Sequence, residues 1–360
     1  MSSRVKTTSG AQQSSDGTSD EGARSATGPL AGETPAARSG FSFGGPARES
    51  PAASRGGRSL SLRGFAVGKD GTPLYYRVTG NPDGGGLPVA LCDGIGCDGY
   101  VWKYLRPELG RDRLVVHFHY RGHGRTPLPR DPDRIAIGDL SDDLGAVLDA
   151  ASANVRGHVG GADDRFRRVW LAGHSMGVQV CLETWRRHRE RVAGLALLCG
   201  AYGTPLRTFK NSRALEEMLP LARLVVHAVP AAARALFRAI MPTQLSYRVA
   251  TLFEINGDLV RPDDFFPYLE HMAKVDPRLF VDMLAAAGRH TAREILARID
   301  VPTLVVAGDR DGFTPLTLSE EMHRLIPGCE MHVVRPGSHT APIEKPEEVT
   351  GAVADFVRSH

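Results

Sequence analysis

Three residues sit in settings that suit covalent chemistry: a serine, a histidine and an aspartate. Ser175 lies in Leu171-Ala172-Gly173-His174-Ser175-Met176-Gly177, after an apolar run at 168–172 and before a helical pattern at 177–188. A tight strand-to-helix turn needs the small glycines, and it lifts the serine hydroxyl clear of a sheet. The backbone N–H of Met176, at the start of that helix, then points where an oxyanion forms. A serine hydroxyl is a weak nucleophile without a base, and the base needs a carboxylate to orient it. Of the 13 histidines, His339 has the right setting: Pro336-Gly337-Ser338-His339 follows an apolar run at 331–334 and precedes the last helical stretch. The carboxylate is expected after the run 302–307, where the chain reads Gly308-Asp309-Arg310-Asp311-Gly312. On the residues alone Asp309 and Asp311 compete. The chain order Ser, Asp, His is the one expected of one particular fold.

Such a site needs a scaffold that brings strand ends together. Two strands at 61–67 and 74–78, joined through Lys69-Asp70-Gly71, read as a hairpin. Short apolar runs at 88–92, 114–119, 168–172, 192–198 and 302–307 alternate with helical patterns at 99–109, 140–152 and 177–188. This alternation predicts an α/β fold, a mostly parallel central sheet with helices on both faces. Ligands of such sheets sit outside the carboxyl ends of the strands, where all the polar motifs here fall. Residues 61–201 and 290–360 form the expected core. Residues 202–289 break the alternation with helical segments and read as an inserted helical lid. Within them Asp276-Pro277 predicts a helix start, Gly288 its end, and Thr291-x-x-Glu294 a capping box. Leu219, Leu221, Leu224, Val225, Val226, Val229, Leu236, Phe237 and Ile240 are expected to face the sheet edge above Ser175 and to line part of an apolar pocket.

From about 62 to 358 the chain resembles the α/β-hydrolase superfamily. The motifs that carry the resemblance are LAGHSMG at 171–177, YRGHGRT at 120–126, PTLVVAGDRDGFTP at 302–315 and GSH at 337–339. The resemblance implies Ser175 as nucleophile, Asp311 as acid and His339 as base. It also implies a second oxyanion donor, the backbone N–H of Ile95, in the loop Leu91-Cys92-Asp93-Gly94-Ile95-Gly96. In relatives that loop usually begins His-Gly, so Asp93 is a departure. An acid facing a developing negative charge is unfavourable, and Asp93 is expected to turn toward backbone donors. A serine nucleophile argues against the dehalogenase and epoxide hydrolase relatives, which use an aspartate. It implies a serine hydrolase of carboxylic esters. Lactonase, C–C hydrolase, thioesterase, acyltransferase and cofactor-free haloperoxidase chemistry, or a binding module on the same fold, are the alternatives.

Other features narrow the class. Lys+Arg 44 against Asp+Glu 41 is too balanced to point to nucleic acid or a membrane surface. Five cysteines are an odd, sparse set that reads as buried thiols in a reducing compartment. His117-x-His119 with His123 lacks the acid and histidine of a dinuclear metal site, Arg121 and Gly122 standing in those places. Gly94-x-Gly96 lacks the third glycine of a dinucleotide fingerprint. No cofactor or metal is implied. Arg121 and Arg125 read as structural. No run of about 18 apolar residues occurs, and no apolar leader opens the chain, so a cytoplasmic protein acting on a small, mainly apolar ester is expected. Residues 1–60 hold 12 Ser, 10 Gly and 9 Ala and read as a disordered tail.

Overall fold

The computed structural model describes residues 58–159, 165–203, 206, 212–253 and 255–360. The tail expected over 1–60 lies outside these apart from its last three residues, and Leu60 already pairs with Gly80 in the first strand.

Eight strands form one sheet in the order β1-β2-β4-β3-β5-β6-β7-β8. They are β1 (Leu60–Val67), β2 (Pro73–Gly80), β3 (Val89–Cys92), β4 (Leu114–Phe118), β5 (Val169–His174), β6 (Val192–Leu198), β7 (Thr303–Gly308) and β8 (Glu330–Val334). The first hairpin and the β2–β4 pair are antiparallel; the pairs from β4 to β8 are parallel. Every residue of β3, β4, β5, β6 and β7 is buried, as a sheet covered on both faces requires. The edge strand β1 alternates instead between exposed and partly buried residues. The turn into β2 is closed by Asp70, which accepts from the Thr72 backbone N–H at 3.1 Å and its hydroxyl at 2.7 Å.

Helices α2 (Ile137–Val159) and α3 (Met176–Arg187) cover one face, burying Leu140, Leu144, Val178 and Leu182. Helices α1 (Leu105–Leu109) and α11 (Pro346–Ser359) cover the other, burying Leu109, Val353 and Phe356. The expected helix at 99–109 is a 3-10 turn at Tyr100–Trp102 followed by α1. Helices α9 (Leu316–Leu325) and α10 (Ala341–Glu344) complete the core.

Between β6 and β7 lie α4 (Ala214–Ala228), α5 (Pro230–Ile240), α6 (Gln244–Phe253), α7 (Pro262–Met272) and α8 (Pro277–Arg289). Asp276 caps α8 as the sequence indicates, accepting from the Arg278 N–H at 2.9 Å. Two local expectations fail. Gly288 is the penultimate residue of α8 rather than the one that ends it, and its missing side chain makes room for Leu206, 2.2 Å from the position of a Cβ. Thr291 and Glu294 form no capping box: Thr291 bridges Gly203, and Glu294 accepts from Arg186 at 3.0 Å instead of reaching back.

The insertion has two layers. In the inner one, Phe265, Leu269 and Met272 of α7 cluster with Cys97 and Ile343, while Leu279 and Met283 of α8 join the main core. In the outer one, α4 and α5 pack on α8, with Leu219 against Leu206 and Ala285, Phe237 beside Phe280, and Arg223 bonded to Asp282 at 2.8 Å. The apolar face expected to cover the sheet edge is therefore corrected. Of its nine residues only Leu219 is buried, and Leu221, Leu224, Val225, Val229, Leu236 and Ile240 are exposed. Apolar residues surround α4, so periodicity alone does not say which side faces in, and α8 interposes between it and the core.

Glycines decide how closely α3 approaches β3. A Cβ on Gly177 would lie 2.0 Å from the Cys92 carbonyl oxygen, whereas one on Gly145 of α2 meets nothing within 4 Å. Gly177→Ala is expected to destabilise the protein by about 2–3 kcal/mol through overpacking. Gly145→Ala is expected to stabilise it by up to about 1 kcal/mol through helix propensity. Urea denaturation of both variants checks the pair, and equal effects would contradict the packing.

Candidate active site

The parallel register aligns the ends of β3, β5, β6, β7 and β8. Cys92 pairs with Gly173, His174 with Leu198, Leu198 with Val306 and Gly308 with Val334. Ser175 follows β5 directly with φ 56° and ψ −120°, a strained conformation for a non-glycine residue. The turn is held by the Ser175 N–H donating to Leu198 O at 3.1 Å and the Val178 N–H donating to Ser175 O at 3.0 Å. Gly94 comes close enough that its Cβ would lie 3.2 Å from the Cβ of Ser175.

The three sequence candidates meet here. His339 Nε2 is 2.9 Å from Ser175 Oγ, and His339 Nδ1 is 2.9 Å from Asp311 Oδ2 and 3.1 Å from Asp311 Oδ1. With Nδ1 carrying the proton, Nε2 is left to accept from the serine hydroxyl. Asp311 is buried and held by the N–H groups of Phe313 and Thr314, each at 2.8 Å, and by the Thr314 hydroxyl at 2.7 Å. The rival Asp309 instead accepts from the Gly337 N–H at 3.0 Å, bracing the loop that leads to His339. The ambiguity between the two aspartates is thus resolved by geometry: Asp311 meets the imidazole and Asp309 does not.

The backbone N–H groups of Met176 and Ile95 donate to no other group among the described residues. The first is free because it opens a helix. The loop carrying the second is fixed at its next residue, where the Gly96 N–H donates to His123 Nε2 at 3.0 Å and His123 Nδ1 donates to Arg121 O at 2.9 Å. Both His123 nitrogens are thereby assigned, and the ring must be neutral.

Asp93 does not turn to backbone donors, as the sequence reading expects. The 3-10 turn at Tyr100–Trp102 brings an indole beneath the loop, and Asp93 accepts from Trp102 Nε1 at 2.7 Å and meets His117 Nε2 at 2.8 Å, fully buried. Burial alone would raise its pKa, but the His117 imidazole and the Trp102 N–H outweigh this and lower it. Arg121 is buried between Asp143, at 2.6 Å and 2.7 Å, and Asp70, at 2.8 Å, so it holds the fold. Arg125 lies over the Tyr75 ring, its Nη-bearing carbon 5.1 Å from the centroid. All five cysteines are buried and free.

Two positioning groups are missed by the sequence reading. His174 Nε2 donates to the His339 carbonyl at 2.9 Å, tying the histidine loop to the turn that carries Ser175. Glu344, buried in α10, accepts from the Ser338 N–H at 2.7 Å, the Ser338 hydroxyl, the Thr340 hydroxyl at 2.9 Å and the Asn256 N–H at 2.9 Å. His174 stands in the serine motif itself and was open to notice. Glu344 carries no sequence signal, because its partners are gathered by folding.

An eight-stranded sheet with a strained serine turn after β5, and a histidine and an acid after β8 and β7, defines an α/β hydrolase. The chain belongs to the alpha/beta hydrolase family, which it matches over residues 89–352. It is 26% identical over 270 residues to a pimeloyl-[acyl-carrier protein] methyl ester esterase of Neisseria meningitidis, covering 75% of this chain and 92% of that protein. Among solved structures, an enol-lactonase from Burkholderia xenovorans aligns with a TM-score of 0.63 at 23% identity, covering 82% of this chain and 99% of that one. A thermophilic esterase from Thermogutta terrifontis aligns with a TM-score of 0.62 at 22% identity, covering 83% and 98%. Both structural likenesses are likenesses of fold.

Two predictions follow from this geometry. Asp311→Asn is expected to lower kcat by about 10⁴-fold by losing the imidazole tautomer. Asp309→Asn keeps an acceptor for the Gly337 N–H and is expected to cost little; steady-state kinetics of both variants tests the assignment. The second concerns acid. Burial depresses the pKa of His119 to about 3 and those of His123, His174 and His271 to about 4. Unfolding frees these four imidazoles to titrate near their ordinary 6.5. The unfolded chain then binds more protons between the two values, so stability is full above pH 6.5 and falls as pH drops toward 4. Urea midpoints across that range check this, and a flat profile would contradict it.

Proposed function

We propose that this chain hydrolyses carboxylic esters through an acyl-enzyme on Ser175. What carries the reading is the unbroken path from Asp311 through His339 to Ser175, with 2.9 Å at each step, beside two unpaired backbone N–H groups. The ester hydrolysis named for the Neisseria relative supports the substrate class.

His339 Nε2 takes the proton of the Ser175 hydroxyl as the oxygen attacks the ester carbonyl. Asp311 stabilises the imidazolium and stays ionised. The N–H groups of Ile95 and Met176 receive the oxyanion in a site where no reorientation is needed. His339 returns the proton to the leaving alcohol. Water, activated by the same imidazole, then releases the acid. Each step uses the chain's own residues.

Residues 202–289 act as a cap over the site in this reading, with α7 and α8 as its inner wall. Met272 packs on Gly96 of the oxyanion loop, its sulfur 2.1 Å from the position of a Gly96 Cβ, and the Phe313 ring lies 5.0 Å from that of His339. These apolar groups favour an uncharged acyl or aryl ester over a charged one.

Ser175→Ala is expected to abolish turnover and covalent labelling by a fluorophosphonate while leaving the thermal midpoint unchanged. Unaltered hydrolysis by this variant would refute the mechanism. Across p-nitrophenyl esters from acetate to laurate, kcat/KM is expected to rise by up to about 0.8 kcal/mol per methylene until the pocket is full. A faster rate for a carboxylate-bearing analogue would overturn the apolar preference.

A further inference from the structure

The outer layer of the insertion presents an apolar surface that the hydrolytic site does not use. Met218, Leu221, Leu224, Val225, Val229, Leu236, Ile240, Leu245 and Val249 are all exposed, Leu221 by 64%, Leu224 by 67% and Leu236 by 61%. Elsewhere among the described residues the exposed large apolar side chains are Phe65, Val67, Leu87 and Leu128, a scatter ordinary for a protein surface. A cluster confined to three consecutive helices is not ordinary, and marks a surface with a partner.

The charges around it say what partner. Beyond Glu216 and Glu217 in the first turn of α4, the stretch from Met218 to Phe253 has no Asp or Glu and four arginines, Arg223, Arg234, Arg238 and Arg248. The balanced composition of the whole chain hides this segregation. Arg223 is bonded to Asp282 and Arg234 to Asp276, at 2.8 Å and 3.0 Å. Arg238 and Arg248 are exposed and have no acidic partner among the described residues. An apolar face with a cationic rim suits the interface of an anionic bilayer, where leucines enter the acyl boundary and arginines meet phosphates.

The geometry favours lying on a membrane over crossing it. Among the described residues no single helix is long and apolar enough to span a bilayer, and α4 and α5 are bent by 108° at Val229-Pro230. The 15 residues of α4 extend about 22 Å, short of the hydrocarbon core of about 30 Å.

We propose that the outward face of α4, α5 and α6 is a peripheral membrane-binding surface for anionic lipid. Because α7 and α8 lie between this face and the oxyanion loop, docking turns the carboxyl edge of the sheet, and Ser175 with it, toward the bilayer. An apolar substrate partitioned into lipid then meets the cap side of the enzyme.

The test is flotation of the full chain with vesicles of phosphatidylcholine alone and of phosphatidylcholine mixed with phosphatidylglycerol. Binding to the mixed vesicles, weakened by salt, is expected. The double variant Arg238→Glu, Arg248→Glu is expected to lower it by at least about tenfold. The triple variant Leu221→Glu, Leu224→Glu, Leu236→Glu is expected to abolish it. Both variants should hydrolyse soluble p-nitrophenyl acetate at the parent rate, since these side chains touch no catalytic group. Failure of the parent chain to float with the mixed vesicles would overturn the proposal. So would binding that both variants retain, or a dimer in sedimentation equilibrium that the leucine variant dissolves, which would give the face to a second copy. Binding is read without turnover, so the result stands or falls independently of the ester chemistry.

Discussion

The backbone at Ser175 is the constraint on which the rest of the site depends. Its φ of 56° costs on the order of 1–3 kcal/mol and persists only because the surroundings leave no alternative. Those surroundings are unusually close. Gly177 lies against the end of β3, and a Cβ on Gly200 would stand 2.6 Å from the Ser175 carbonyl oxygen. The Ser175 N–H is committed to β6 through Leu198 O. The serine is thus clamped by strands on both sides. Its hydroxyl has one direction left, outward, where His339 waits on a loop tied back to the same turn by His174.

Behind the oxyanion loop lies a second constraint, electrostatic rather than steric. Asp93, His117, His119, His123 and His271 are all buried within the wall that supports the loop. A buried charge is tolerable only with partners, and Asp93 has two. His119, His123 and His271 avoid the cost by remaining neutral, which leaves a lone pair on His123 to receive the Gly96 N–H. The loop that carries the Ile95 N–H is thereby supported by groups that leave that N–H free.

The insertion is built on a different division of labour. Its inner helices bury aromatic and methionine side chains against the core. Its outer helices are joined to them by Arg223 and His227 on Asp282, by Arg234 on Asp276 and by a few apolar contacts, and so leave most of their own apolar surface in water. The layer that packs on the core and the layer that meets the surroundings are separate elements.

Much of this was readable in the residues. Fully buried parallel strands appear as continuous apolar runs, so β3 to β7 were placed within a residue or two. Ser175, His339 and the pair of candidate aspartates stood out because strand-end loops carry glycines and polar groups at fixed places relative to those runs. Local signals failed where a partner distant in sequence won. Asp93 went to Trp102 and His117, Glu294 went to Arg186, and Glu344 gathered donors from the histidine loop and from Asn256 of the insertion. On the residues alone Asp309 and Asp311 were level, and only the family resemblance favoured Asp311; the geometry that separates them, and the outward turn of the leucines on α4, needed the tertiary structure. A carboxylate's partner and a helix's buried side are set by which neighbours pack against them, and periodicity records how apolar residues are spaced, not what stands opposite.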